Sequence, residues 1–267
     1  MKTVRTIAAV REELAGRGSV GLVPTMGAFH AGHVSLFRAA RAENDIVVAS
    51  LFVNPAQFEA EEDLAAYPRD EARDAAVAEQ EGVDVLFAPA VDELYPDGFD
   101  TWVMVEGLSE RLEGAFRPGH FRGVATVCLK LFNIVRPDRA YFGEKDAQQV
   151  AVVKQLVHDL NLPLEIRAVP TVRDEDGLAL SSRNVRLGPE HRAAARAIPR
   201  ALSAGAEAYA HGGDAAATAQ RILDDEPLVV PQYVEVARFD GRLVLAAAAR
   251  VGGIRLIDNV TLEEEPT

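Results

Sequence analysis

Between residues 19 and 170 the chain alternates short apolar runs with stretches of helical periodicity, the pattern of strands and helices laid around a parallel sheet. SVGLVP (19–24), DIVVASLFV (45–53), VDVLFAP (83–89), RAYFG (139–143) and LEIRAVP (164–170) read as strands. Helices are predicted over 33–44, 69–81, 123–135 and 148–160, where apolar residues recur three and four apart. Beyond residue 172 the character changes. RDEDGLALSS (173–182) reads as a turn or hairpin, and residues 187–210 as a long helical stretch with Pro189 in its first turn and a kink or split at Pro199. A further helix follows Asp214, and YVEVARF, RLVLAAAARV and IRLIDNVTL, separated by Asp-Gly and Gly-Gly, read as three antiparallel strands. The predicted fold class is α/β: a Rossmann-like parallel-sheet domain over 1–171, followed by a smaller α+β domain over 172–267.

At 267 residues, 48% apolar and 26% charged, the chain has the composition of an ordinary globular protein. Its formal charge of −13 opposes binding to nucleic acid or to an anionic membrane surface, so an anionic ligand requires a local basic pocket. The lone Cys128 lies in an apolar helical stretch and reads as a buried thiol. The N-terminal residues lack the apolar core of a signal peptide, and no apolar run approaches the roughly 20 residues of a membrane span. The expected location is cytoplasmic.

Candidate chemistry gathers where predicted strands end. PTMGAFHAGH (24–33) is a strand-to-helix turn at the carboxyl edge of the sheet, where unpaired helix amides favour an anion and Gly27 and Gly32 permit close approach. His30 and His33, three apart, can both donate to a phosphate. Capping or surface histidines and a metal-ligand pair are the alternatives, although no cysteine or carboxylate cluster adjoins them in sequence. FGEKDAQQ (142–149) supplies Lys145 for an anion and Asp146 for a ribose hydroxyl or a metal. SSRN (181–184) suits phosphate or serves as a capping loop, and EGAFRPGHFRGV (113–124) adds Arg117, His120 and Arg122. FVNPAQFEAEEDLAAYPRD (52–70) places Asn54 and Gln57 at a strand end, with amides able to both donate and accept.

HAGH resembles the HIGH signature of nucleotidyltransferases and class I synthetases. The ordered set PTMGAFHAGH, FVNPAQF, YPRD, RPGHFRGV, RPDRAYFGEKDAQQ and LSSRN closely resembles the pantothenate synthetase family, from Pro24 to Asn184. The resemblance implies an ATP-dependent ligase that joins (R)-pantoate to β-alanine through a pantoyl adenylate, releasing pyrophosphate and AMP, with Mg2+, in a cytoplasmic homodimer of coenzyme A biosynthesis. It implies His30, His33 and Lys145 as catalytic residues, with His33 as proton donor. It assigns ATP binding to Met26, Gly27, Ala28, Phe29, His30, Ala31, Gly32, His33, Gly143, Glu144, Lys145, Asp146, Val172, Leu180, Ser181, Ser182 and Arg183, the smaller domain closing over the nucleotide. Pantoate falls to Gln57 and Gln149, β-alanine to Gln57, and support to Asn54, Arg117 and His120. Metal ligands stay unassigned, with Asp74 a candidate. The chain departs from the family pattern at Ala31, commonly glutamate, and Ala147, commonly tyrosine.

Two other functions fit parts of this pattern: transfer of AMP to a phosphate-bearing acceptor, which would favour cations at Gln57 and Gln149, and nucleotide sensing without turnover. A dinucleotide-binding fold is disfavoured because the first loop lacks GxGxxG.

Overall fold

The computed structural model describes residues 1–59 and 61–263. The chain divides into two compact units, one holding Met1–Glu144 and Gln148–Val169, the other Lys145–Ala147 and the chain from Pro170 onward.

The first unit is built on six parallel strands, β1 (Lys2–Val4), β2 (Val20–Thr25), β3 (Ile46–Leu51), β4 (Val85–Phe87), β5 (Arg139–Gly143) and β6 (Glu165–Val169), in the order β1-β4-β3-β2-β5-β6. Helices α1 (Ile7–Leu14), α2 (Ala31–Glu43), α3 (Glu61–Ala66), α4 (Glu71–Gln80), α5 (Val91–Leu94), α6 (Glu113–Phe116), α7 (His120–Val135) and α8 (Ala147–Asp159) complete it. The strands are apolar on both faces because each face is covered. Val20, Leu22, Val48, Val85, Phe87, Ala140 and Phe142 point into one core with α7 and α8, and the alternate residues Val23, Val47, Ala49, Leu86 and Tyr141 into the other with α2 and Ala78 of α4. The order reverses between β2 and β5, so their carboxyl ends mark the topological switch point where such sheets bind ligands.

In the second unit α9 (Pro189–Ala195), α10 (Ala197–Ala210) and α11 (Ala215–Asp224) share a core with an antiparallel sheet of β7 (Val229–Phe239), β8 (Arg242–Val251) and β9 (Ile254–Thr261). Both connections are two-residue turns, Asp240-Gly241 and Gly252-Gly253, with positive φ throughout (50° and 77°; 57° and 79°), as the strand twist requires. The sequence motif 173–182 is a hairpin closed by one bridge, Arg173 to Ala179. Its arms are tied by Arg173 to Asp258 (2.7 and 3.0 Å) and by Arg192 to Asp174 and Asp176.

The predicted long helix splits at Arg196 rather than at Pro199: Pro199 sits in the first turn of α10, where its missing N–H falls among amides that have no intrahelical partner. The pattern placed no element before Ser19, yet β1 and α1 lie there; three residues are too few for a period, and α1 buries only Val10 fully. No helix among the described residues is long and apolar enough to cross a membrane.

Gly123 on α7 meets the turn Pro55–Gln57 so closely that a Cβ would lie 2.2 Å from the carbonyl oxygen of Ala56 and 2.7 Å from the amide of Gln57. Both neighbours are backbone and cannot step aside cheaply. Gly123→Ala is therefore expected to cost about 1–3 kcal/mol, seen as a fall in Tm; an unchanged melting curve would show that the turn yields without penalty.

Candidate active site

Leaving β2, the chain crosses Gly27 (φ 87°) and Ala28 (φ 54°) in the left-handed region before entering α2. Asp74 of α4, 1% exposed, closes this loop from behind: its two carboxylate oxygens accept from the amides of Ala28 (2.7 Å) and Phe29 (2.8 Å). Phe29 is buried and packs edge-on against Phe37. Its amide and ring thus serve the fold. Asp74, the sequence's candidate metal ligand, is engaged by the loop through both oxygens. Among the described residues no group of three His, Cys, Asp or Glu side chains converges to hold a metal ion.

His30 is the N-cap of α2. Its Nδ1 accepts from the Gly32 amide (3.1 Å), and Nδ1 of His33 accepts from the His30 amide (3.3 Å). The two histidines do cap the helix, one of the alternatives the sequence left open, and this capping fixes their chemistry. A neutral ring whose Nδ1 accepts carries its proton on Nε2, so Nε2 is the donor of each imidazole. The rings lie 4.2 Å apart, centroid to centroid. Burial, reinforced by the neighbouring His30, pushes the His33 pKa down to about 3. His33 is thus neutral near pH 7, with the proton of its ring on Nε2. Ala31 is exposed at the first helical position, and the first turn of α2 carries no acidic residue. Nothing in that turn offsets the positive end of the helix dipole.

Gln57 is strapped from several sides. Its Oε1 accepts from Nδ2 of Asn54 (3.0 Å), its Nε2 donates to the sulfur of Met26 (3.1 Å), and its backbone carbonyl meets Nδ1 of His120 (2.9 Å) and accepts from Arg117 (3.3 Å). Asn54, 1% exposed, gives its second amide hydrogen to the Gly123 carbonyl (3.1 Å). Arg117 lies 3.1 Å from Nε2 of His120, so a neutral His120 protonated on Nδ1 satisfies both contacts. Met26, Asn54, Gln57, Arg117 and His120 are therefore brought together. A thioether is a weak acceptor, so Nε2 of Gln57 can exchange Met26 for a better partner.

The side chain of Gln149, half-buried on α8, makes no hydrogen bond among the described residues. Its neighbour Gln148 is saturated: Nε2 donates to the carbonyls of Leu108 (2.7 Å) and Arg111 (2.8 Å), and Oε1 accepts from the Glu113 amide (3.1 Å). The sequence pattern does not single out Gln148, and it offers Asp74 only as a metal candidate. The available signal for Asp74 was a carboxylate four residues before Ala78, in phase with the buried face of α4.

The remaining sequence candidates lie around the second unit. Gly143 and Glu144 close the β5 end of the first unit, whereas Lys145 and Asp146 belong to the second, where Asn259 of β9 donates to the Lys145 carbonyl (2.8 Å). Lys145 Nζ lies 3.9 Å from Asp146. Val172 and Leu180 face each other across the hairpin base (Leu180 N to Val172 O, 3.0 Å), and Ser181 opens a turn by accepting through its hydroxyl from the Arg183 amide (3.3 Å). Ser182 and Arg183 follow in that turn.

The sequence matches the profile of the pantoate-beta-alanine ligase family over residues 1–261. It is 54% identical to a pantothenate synthetase of Moorella thermoacetica over 98% of this chain and 99% of that protein, and 53% identical to one of Roseiflexus castenholzii over 97% and 100%. Its fold superposes on the crystal structure of pantothenate synthetase from Thermus thermophilus with a TM-score of 0.95 at 48% identity, covering 99% of this chain and 100% of that one. The pantoate-beta-alanine ligase of Francisella tularensis, solved with beta-gamma ATP and beta-alanine, matches at a TM-score of 0.84 and 36% identity, covering 100% of both chains. A parallel sheet carrying a capped histidine pair at its switch point, and near-complete likeness to these enzymes in sequence and in fold, make this chain a member of the pantoate–β-alanine ligase family.

Proposed function

We propose that the chain ligates (R)-pantoate to β-alanine in two steps, with pantoyl adenylate between them, and so makes pantothenate for coenzyme A. The observation that carries the reading is the locked pair His30 and His33 at the start of α2, a few residues from the Gln57 cluster through Met26. In the first step a pantoate carboxylate oxygen bonds to the α-phosphorus of ATP and the bond to the β-phosphate bridging oxygen breaks, releasing pyrophosphate. In the second the β-alanine amine, as free base, attacks the acyl carbon; the C–N bond forms, AMP leaves with the C–O electron pair, and the surplus N–H proton passes to the departing phosphate or to water. ATP supplies the activation, so no protein nucleophile is needed. Cys128 agrees with this, since burial holds its thiol up at about 12.

His30 and His33 donate from Nε2 to phosphate oxygens as charge builds, and their Nδ1 bonds to the backbone hold both rings in place before ATP arrives. Lys145, Ser181, Ser182 and Arg183 add cationic and hydroxyl donors to the nucleotide, with the backbone at Met26–Gly32, Gly143, Glu144, Val172 and Leu180 lining it and Asp146 on the ribose. Gln57 and Gln149 recognise pantoate, and Gln57 also β-alanine. The magnesium expected would enter with the phosphates of ATP, and the sequence offers Asp74 and Asp146 as carboxylates that could meet it. When bound it neutralises charge on the departing pyrophosphate.

The protein is proposed to act in the cytoplasm, where ATP is available, and as a homodimer. A groove of about 460 Å3 in the first unit, lined by Val103, Met104, Val105, Leu108, Leu156 and Leu160 and also by the polar Glu106, Gln155 and Asp159, is a surface of mixed character on which a second copy could pack.

Incubated with pantoate, ATP, β-alanine and Mg2+, the protein is expected to yield pantothenate, AMP and pyrophosphate by mass spectrometry; ADP and phosphate would exclude the adenylate route. Gln149→Ala is expected to weaken pantoate binding by about 1–3 kcal/mol with ATP affinity unchanged. Calorimetric titration separates the two, and loss of ATP affinity alone would move Gln149 out of the pantoate pocket.

The depressed His33 pKa also sets an acid limit on stability. Between pH 6.5 and about 3 the unfolded chain protonates His33 while the folded chain does not, so stability falls as pH drops through that window, levels below it and is unaffected above it. His33→Asn should flatten the pH dependence of Tm in that range, at up to about 1.4 kcal/mol per pH unit for the one proton. Parallel wild-type and variant curves would show that His33 titrates normally.

A further inference from the structure

Apart from being the sequence's metal candidate, Asp74 has no part in the proposed chemistry beyond closing the loop after β2. Its carboxylate is 1% exposed, on the fourth residue of α4, and both oxygens are taken by successive amides, of Ala28 and Phe29. A buried carboxylate is an expensive way to fill space; an apolar side chain would close the same gap without desolvating a charge. What the carboxylate alone can do is hold two consecutive N–H groups that the loop turns inward. Those groups face inward because Gly27 and Ala28 are both in the left-handed region, a shape an alanine adopts only against a steric cost. The space leaves no slack: a Cβ on Gly27 would lie 2.8 Å from Asp74 Oδ2 and 2.7 Å from Leu51 Cδ1.

Two residues on, the same backbone becomes the N-cap of α2. The His30 amide is the donor that locks His33, and the Gly32 amide the donor that locks His30. The path from Asp74 to the two imidazoles is therefore short: carboxylate to the amides of Ala28 and Phe29, chain direction at His30, Nδ1 of both rings. We infer that Asp74 is a positioning residue for the adenylation step, acting through the left-handed turn at Gly27 and Ala28 to place the Nε2 donors of His30 and His33 on the ATP phosphates. The inference rests on the ligase reading above. It puts the carboxylate's negative charge behind the loop, where the amides of Ala28 and Phe29 screen it from an anion in front.

The test compares wild type with Asp74→Asn and Gly27→Ala. Asparagine keeps the size and one acceptor but turns an NH2 group against an amide N–H. The alanine Cβ drives the carboxylate off the loop from the other side. In both, pyrophosphate release with saturating pantoate and no β-alanine should fall roughly 10- to 100-fold, as for donors displaced by about an ångström. Affinity for ATP should weaken in the same variants, while calorimetric affinity for pantoate stays within about twofold. That split is not what a merely structural role produces, since a less stable but intact fold leaves both affinities unchanged. A folded Asp74→Asn protein with wild-type pyrophosphate release would overturn the inference, as would equal loss of both affinities. Should Asp74→Asn fail to fold, Asp74→Glu, which keeps the carboxylate but moves it by one methylene, decides by the same criteria. If wild type itself released no pyrophosphate, the ligase reading would fail, whereas ATP affinity in the variants would still report on the loop.

Discussion

The structure depends on how the chain leaves β2. A strand buried on both faces must turn within five residues into a helix that starts at the sheet's edge, and the turn leaves inward-facing amides with no secondary-structure partner. Asp74 satisfies two of them. Once they are held, the rest of the entry follows by short-range bonding, with His30 and His33 capping α2 through their Nδ1 atoms. The histidines are thus capping residues of α2. Giving Nδ1 to the backbone fixes the tautomer that leaves Nε2 as donor.

A second region obeys the same logic with neutral groups. Gln57 sits on a single turn of 3-10 helix, an element too short to hold a side chain rigidly by itself. Asn54 orients its amide, Arg117 and His120 hold its carbonyl, and Gly123 lets α7 approach the turn at backbone distance. Gln148 does comparable work on the segment leading to Glu113, which lies 3.8 Å from Arg117. The histidine pair and Gln57 both rest on buried partners, Asp74 and Asn54, whose polar groups are engaged. This is the arrangement expected of a site preorganised before ligand binding.

Electrostatics follow from this arrangement more than from net charge. In a chain of −13, α2 begins without a carboxylate in its first turn, and the strand-end and hairpin motifs carry the cations Lys145 and Arg183. Asp74 is the exception, an acid beside the proposed phosphate loop. Its charge is spread over two amides behind that loop, which reconciles it with an anion site.

Sequence by itself determined the strands of both sheets after Ser19 and the longer helices between them, and it pointed to the strand ends as candidate chemistry. The short apolar runs of β2 to β5, the turn dipeptides Asp240-Gly241 and Gly252-Gly253, and the ordered motifs from Pro24 to Asn184 are local patterns, legible because each depends on residues a few positions apart. What the sequence left open was the service each polar residue performs. Asp74 is 46 residues from Ala28, Asn259 is 114 from Lys145, and Gln148 is 40 from Leu108; nothing local in their sequence names those partners. The protonation state of His33 was equally out of reach, because desolvation is set by the atoms that surround the ring in three dimensions and not by its neighbours along the chain. Only the tertiary structure brought Asp74 against the amides of Ala28 and Phe29 and set the desolvation of the His33 ring.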